Sequence, residues 1–155
     1  MLVREFTYKD FNNIERKEAF CFNLSRADLL EMELGAYGGL DEMMRRLIQE
    51  KQPEKIVAMF KNLILTAVGR KSPDGRRFER SQEIREDFYQ TNAYSQLFSE
   101  LVLNPAKMRE WLLQTVEDDV RESILATEAA SEDAPAETEG KVISLPGAGG
   151  PIADN

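Results

Sequence analysis

Five cations, Arg70, Lys71, Arg76, Arg77 and Arg80, fall within eleven residues around the turn-forming run Ser72-Pro73-Asp74-Gly75. Guanidinium and ammonium groups at that density are suited to holding phosphate oxygens or the carboxylates of an acidic partner. The competing reading is a solvated loop whose arginines pair with Glu79, Glu83 and Asp87. Charge balance favours that reading, because residues 1–116 hold 18 acids and 18 bases. The remaining chemistry-bearing residues are sparse. There is no histidine, which removes the commonest general base, the commonest transition-metal ligand and every His-dependent triad. The carboxylate pairs Glu31/Glu33 and Asp118/Asp119 read as exposed faces rather than acid–base dyads. Gly35, Gly38 and Gly39 are too closely spaced, and follow a helix, so they form no phosphate-cradling loop. Cys21 is the single cysteine; it cannot form an internal disulfide, and within Ala-Phe-Cys-Phe-Asn-Leu it reads as a small apolar core residue. The expectation is a non-enzymatic chain with no catalytic residue, no metal site and no cofactor.

The 155 residues accommodate one domain and a tail. A hydrophobic content of 42% is slightly lean and places part of the chain outside a core. No apolar run approaches the length of about 18 residues that a membrane span needs, and Met1–Phe11 lacks the apolar centre of a signal peptide; a cytosolic protein is expected. The net charge of −8 is unevenly placed, since residues 117–155 carry ten acids against Arg121 and Lys141. An acidic tail disfavours nucleic acid and anionic membrane as partners and suits a solvating or partner-engaging segment.

These residues need elements to position them. The β-branched and aromatic content of Leu2–Tyr8, the polar run Tyr8–Asn13 and the run ending in Phe20-Cys21-Phe22 predict an antiparallel hairpin pairing 2–8 with 15–23. Ser25 with Asp28 forms a capping box, Leu24 and Leu29 stand at staple spacing, and Gly35 closes the first helix. Asp41–Gln49 is helical, with Met43, Met44, Leu47 and Ile48 on one face. Six methionines would soften a promiscuous binding surface, but Met43 and Met44 read more simply as core. Pro53 opens a helix with apolar Ile56, Val57, Phe60, Leu63, Ile64, Ala67 and Val68. A loop from Gly69 to Arg80 follows. Ser81 caps a helix to Tyr89. Thr91 caps another, whose Tyr94, Leu97, Phe98, Leu101 and Val102 form one stripe. Asn104-Pro105 starts a last helix that reaches about Thr127, with Met108, Leu112, Val116, Val120 and Ile124 every four residues. From Glu128 the composition predicts a disordered acidic tail. Within it, Val142-Ile143-Ser144-Leu145 is an apolar island, either a chance cluster or a docking peptide. The fold class is therefore α+β and predominantly α-helical. An N-terminal β-hairpin (2–23) packs on a bundle of about five to six helices (25–127), making a domain of residues 1–127, with the tail at 128–155.

Three stretches carry a family resemblance: FTYKDFNNIERKEAFCFNLSRADLLEMEL, GGLDEMMRRLI and FKNLILTAVGRKSPDGRRFERSQEIREDFYQTNAYSQLFSELV. They cover roughly residues 5–103 and resemble the small tail assembly chaperones of long-tailed, siphovirus-type phages. SPDGRRF followed by QTNAYSQLFSEL is the most specific part; nothing after Pro105 is diagnostic. The resemblance implies a non-enzymatic factor in the host cytoplasm that binds the long, helical tape measure protein and keeps it soluble during tail tube assembly. It would be absent from the finished virion. The implied partners are the tape measure protein, other copies of the chain, a longer form made by frameshifting, and the tail tube protein. Such a client needs apolar grooves or strand edges and a solubilising tail. The hairpin edge and the helix bearing Tyr94, Leu97, Phe98 and Leu101 are candidate contact surfaces. The basic loop (Arg70, Lys71, Arg76, Arg77, Arg80) is a third, facing the client or a neighbouring copy. Two other classes compete. A structural tail or head-completion component would be found in particles. A nucleic-acid-binding regulator would use the basic loop on phosphate, against the charge balance.

Overall fold

The first strand, β1 (Leu2–Lys9), owes its place to strict alternation of burial: Leu2, Arg4, Phe6 and Tyr8 face inward, whereas Val3, Glu5, Thr7 and Lys9 face solvent. Arg4 hides this pattern in the sequence. Its stem lies on the inner face with the guanidinium 5.0 Å from the Phe6 ring centroid and paired with Glu100, so a cation occupies an apolar position. β2 (Glu15–Phe22) pairs antiparallel with β1 from Leu2↔Phe22 to Lys9↔Glu15, as the hairpin expectation had it. Asp10 fixes the turn. Its Oδ1 accepts from the Asn12 and Ile14 amides, both at 2.9 Å, and Asn13 takes the left-handed conformation at φ 63°.

The computed structural model describes residues 1–36 and 38–133; the apolar island Val142–Leu145 and the rest of 134–155 lie outside the described residues. The order after the hairpin is α1 (Arg26–Gly35), α2 (Gly39–Gln49), α3 (Pro53–Ala67), β3 (Val68–Lys71), β4 (Phe78–Glu79), α4 (Gln82–Tyr89), α5 (Asn92–Leu103), α6 (Pro105–Thr115) and α7 (Asp118–Asp133). The α+β class stands, and the Ser25–Asp28 capping box, the Ser81, Thr91 and Asn104 caps and the first-turn prolines at 53 and 105 all form.

Two elements differ from expectation. The segment read as a loop is a second hairpin. Val68 and Gly69 pair with Phe22 and Cys21, and Arg70 and Lys71 pair with Glu79 and Phe78, giving an antiparallel sheet in the order β1-β2-β3-β4. Four residues interrupted by a glycine carry too little alternation to read as a strand. The glycine is required there, because a Cβ at Gly69 would meet the Phe78 ring and come 2.7 Å from the Glu79 carbonyl oxygen. The long last helix is in fact two. A four-residue apolar repeat drifts by about 40° per step around a helix, so one continuous helix would turn its stripe off the core. The break at Val116 avoids this. The Leu24 amide donates to the Thr115 carbonyl at 3.0 Å, and Val116 bridges Leu24 in parallel. Asp118 and Asp119 then start α7, where carboxylates favour the helix N-terminus. α7 runs to Asp133, past the expected limit near Thr127.

One core joins the inner sheet face to the helices. Phe22, Leu24, Ile64, Phe88, Leu97 and Val116 are fully buried. Phe88 is its aromatic hub, with ring centroids of Phe20, Phe22, Tyr94 and Phe6 at 4.7, 5.5, 5.7 and 6.4 Å. Cys21 is only half-buried, because it points to the opposite sheet face from Phe20 and Phe22.

Candidate functional site

The five cations separate into two groups. Arg70, Lys71, Arg76 and Arg77 are exposed on the β3–β4 hairpin. Arg70 and Lys71 make no ion pair among the described residues, while Arg77 reaches Glu79 at 3.0 Å and Arg76 lies 3.8 Å from Asp74. Their turn is locked from inside. Ser72 is buried; its amide donates to the Arg77 carbonyl and its carbonyl accepts from the Gly75 amide, both at 2.9 Å, while its Oγ accepts from the Arg77 amide and donates to Asp74. That hydroxyl, with the Arg76 amide, holds the Asp74 carboxyl below its usual range. Gly75 supplies the φ of 74° that the turn needs.

Arg80 is different. Its guanidinium forks onto Asp28 at 2.7 and 2.8 Å and also donates to the Asn23 carbonyl at 2.9 Å, with 19% and 15% of the Arg80 and Asp28 side chains exposed. It ties the second hairpin to the cap of α1 and is not presented to a partner. Burial pushes the Asp28 carboxyl up, but the bonds from Arg80 and Ser25 outweigh it and hold the group below the usual carboxylate range. A depressed folded value contributes stability above an unfolded pKa of about 3.9, and that stability is lost as pH falls through the folded value. Arg80→Ala is expected to cost about 2 kcal/mol at pH 7, less than the roughly 3–5 kcal/mol of a fully buried pair because this one is partly exposed. In urea titrations that difference should shrink as pH falls below the unfolded value and through the depressed folded value, where the Asp28 carboxyl of the folded wild type takes up its proton.

The α5 stripe is spent inside the molecule. Leu97 and Leu101 are 0% and 2% exposed. Tyr94 and Phe98 are half-buried and stack at 5.6 Å, and burial beside Tyr89 pushes the Tyr94 phenol up to about 12. The same helix guards the hairpin edge: Asn92 Nδ2 donates to the Lys9 carbonyl at 2.7 Å and Gln96 Nε2 to the Thr7 carbonyl at 3.5 Å.

The open apolar surface lies elsewhere. α1, α2, α3 and α6 border a groove of about 420 Å³ lined by Leu29, Met32, Met43, Met59, Phe60, Leu63 and Leu112, with Asn62 the one polar side chain among the described residues that line it. Leu29, Met32, Phe60, Leu63 and Leu112 also pack on the core, which fixes the walls. α1 is apolar on more than one side yet has no buried residue; Leu30 and Leu34, one turn apart, are 54% and 78% exposed. Thioether side chains let such a groove adapt to irregular apolar partners. Sequence reasoning placed Met43 on an apolar face but missed the groove. The available signal was α1, whose Leu29, Leu30, Met32 and Leu34 do not fall on one stripe.

Among the described residues no group of three or more His, Cys, Asp or Glu side chains could hold a metal ion, and no helix is long and apolar enough to cross a membrane. The arrangement is suited to binding a polypeptide. A family model described as phage tail assembly chaperone matches residues 1–145. No curated protein and no solved structure matches the chain.

Proposed function

The chain belongs to the phage tail assembly chaperone family, and on that premise we propose that it binds the tape measure protein through the groove between α1, α2, α3 and α6. Its place in tail assembly is as a chaperone; the client, its site and its fate are the proposal. The observation that carries the reading is the apolar, methionine-lined groove flanked by a helix with no buried residue of its own. A long helical client exposes apolar stripes before the tube forms around it. One such helix laid in the groove would cover both its own stripe and the Met32–Met59 wall. Covering that surface in the host cytoplasm keeps the client soluble, and moderate affinity lets the tail tube protein displace the chaperone.

The test is a tagged chain expressed during infection. The tape measure protein should co-purify with it from lysates, while purified particles should contain none of the chain. Finding the chain in particles at a fixed stoichiometry would replace this reading with that of a structural tail or head-completion component.

A further inference from the structure

The cover that α5 gives β1 stops halfway along the strand. Hydrogen-bonded and free pairs alternate across an antiparallel ladder, and the Thr7 and Lys9 carbonyls reach α5 side chains. The odd-numbered residues of β1 therefore turn their backbone groups away from β2. Val3 and Glu5 share that parity, and no described residue bonds their amides or carbonyls. β1 is also an end strand of the sheet. Facing this bare edge is one side of α6, where Lys107, Glu110, Trp111 and Gln114 recur at helical spacing. Between strand and helix runs a slot made of two adjoining depressions of about 250 and 460 Å³, which share Leu2, Val3, Glu110 and Gln114. Met1 and Leu113 add apolar wall at the wider end. Trp111 is 3% exposed, and its indole N–H is buried without an acceptor among the described residues, an uncommon state for a buried donor.

We propose that this slot takes an extended, uncharged segment of a different polypeptide, which adds to the four-stranded sheet beside β1. Backbone chemistry selects an extended occupant. The free amides and carbonyls of Val3 and Glu5 stand about 7 Å apart along the strand and match the alternate groups of one incoming strand. A helix uses its own backbone groups internally and leaves these unanswered. A carbonyl of the same segment is the acceptor that the Trp111 indole lacks. Charge selects an internal, uncharged stretch over a chain terminus. Arg109 is paired with Glu128, Arg121 with Asp118 and the Leu113 carbonyl, and Arg4 and Lys107 with Glu100, so each cation of the slot already has its carboxylate. The walls formed by Met1, Leu2 and Leu113 favour apolar side chains at every second residue. The β1 edge of a second folded copy does not fit, because it carries α6 beside it. The slot shares no lining residue with the groove proposed for the client, so the two readings fail independently.

NMR on the full chain, titrated with the blocked peptide acetyl-Thr-Val-Thr-Val-Thr-Val-Thr-amide, tests this. Trp111 is the single tryptophan, so its indole N–H resonance identifies itself. The peptide is expected to slow hydrogen exchange at the Val3 and Glu5 amides at least about tenfold and to move the indole resonance downfield. Proline in place of the peptide's central valine removes a ladder donor and should weaken binding at least about tenfold. Val3→Pro deletes an amide that faces the slot, at an edge position where proline is accepted. Leu113→Asp charges the wall at a residue outside the core cluster. Each variant should lose the response while its urea midpoint stays close to that of the wild type. Binding that leaves the Val3 and Glu5 amides unprotected overturns the proposal, as does the absence of any response at about 1 mM peptide. Amides already protected without peptide, in proportion to protein concentration, would give the slot to a second copy and equally overturn it.

Discussion

Placing aspartate at both Met43 and Met59 is expected to weaken capture of the tape measure protein at least about a hundredfold, with the melting temperature nearly unchanged. Both side chains line the groove, and neither is among the residues packed on the core. The substitution therefore charges the binding surface and spares the fold. A carboxylate covered by an apolar client helix has no cation to meet there and loses its water, and about 2.7 kcal/mol of that penalty corresponds to the hundredfold loss. Met43→Leu with Met59→Leu, which keeps the apolar volume, should retain capture within a few fold. A pull-down with purified client fragments separates the two. Equal capture by the aspartate and leucine pairs would remove the groove from the binding account.

The largest effect on stability is expected at Phe88. Truncation to alanine empties the centre of an aromatic cluster formed by Phe6, Phe20, Phe22 and Tyr94, and should cost about 4 kcal/mol, a large part of a typical domain's stability. Phe11 is the natural control. It is 83% exposed at the tip of the first hairpin, so Phe11→Ala should change stability by less than about 0.5 kcal/mol. Urea midpoints of the two variants measure the contrast. Similar shifts for both would mean that the sheet and helices do not share the single core described above.

Much of this architecture could be read from local signals. Caps and first-turn prolines are decided by backbone groups within one turn, so Ser25, Pro53, Ser81, Thr91 and Asn104 mark helix starts correctly without knowledge of tertiary contacts, whereas Gly35 lies inside α1, which Ala36 caps. What escaped was set by distant partners. β3 exists because Val68 and Gly69 meet Phe22 and Cys21, nearly fifty residues away. The break at Val116 exists because Leu24 bonds Thr115. Arg4 and Arg80 look like surface cations until Glu100 and Asp28 are placed beside them. The site was the least legible part, for a related reason. An apolar stripe announces burial but not by what: on α5 it serves the molecule's own core, with Leu97 and Leu101 enclosed, whereas on α1 the apolar residues outnumber the surfaces the chain offers to cover them. The family match to residues 1–145 adds what neither pattern states, that the chain acts in tail assembly.

The most direct test of the groove as the client's seat is site-specific photo-crosslinking. A photoreactive residue at position 59 faces the groove, and one at Thr7 faces solvent on the outer side of the sheet. With the tape measure protein co-expressed, position 59 should cross-link to segments of the client whose apolar residues recur at helical spacing, and Thr7 should give little. Cross-links from position 7 with none from position 59 would contradict the account.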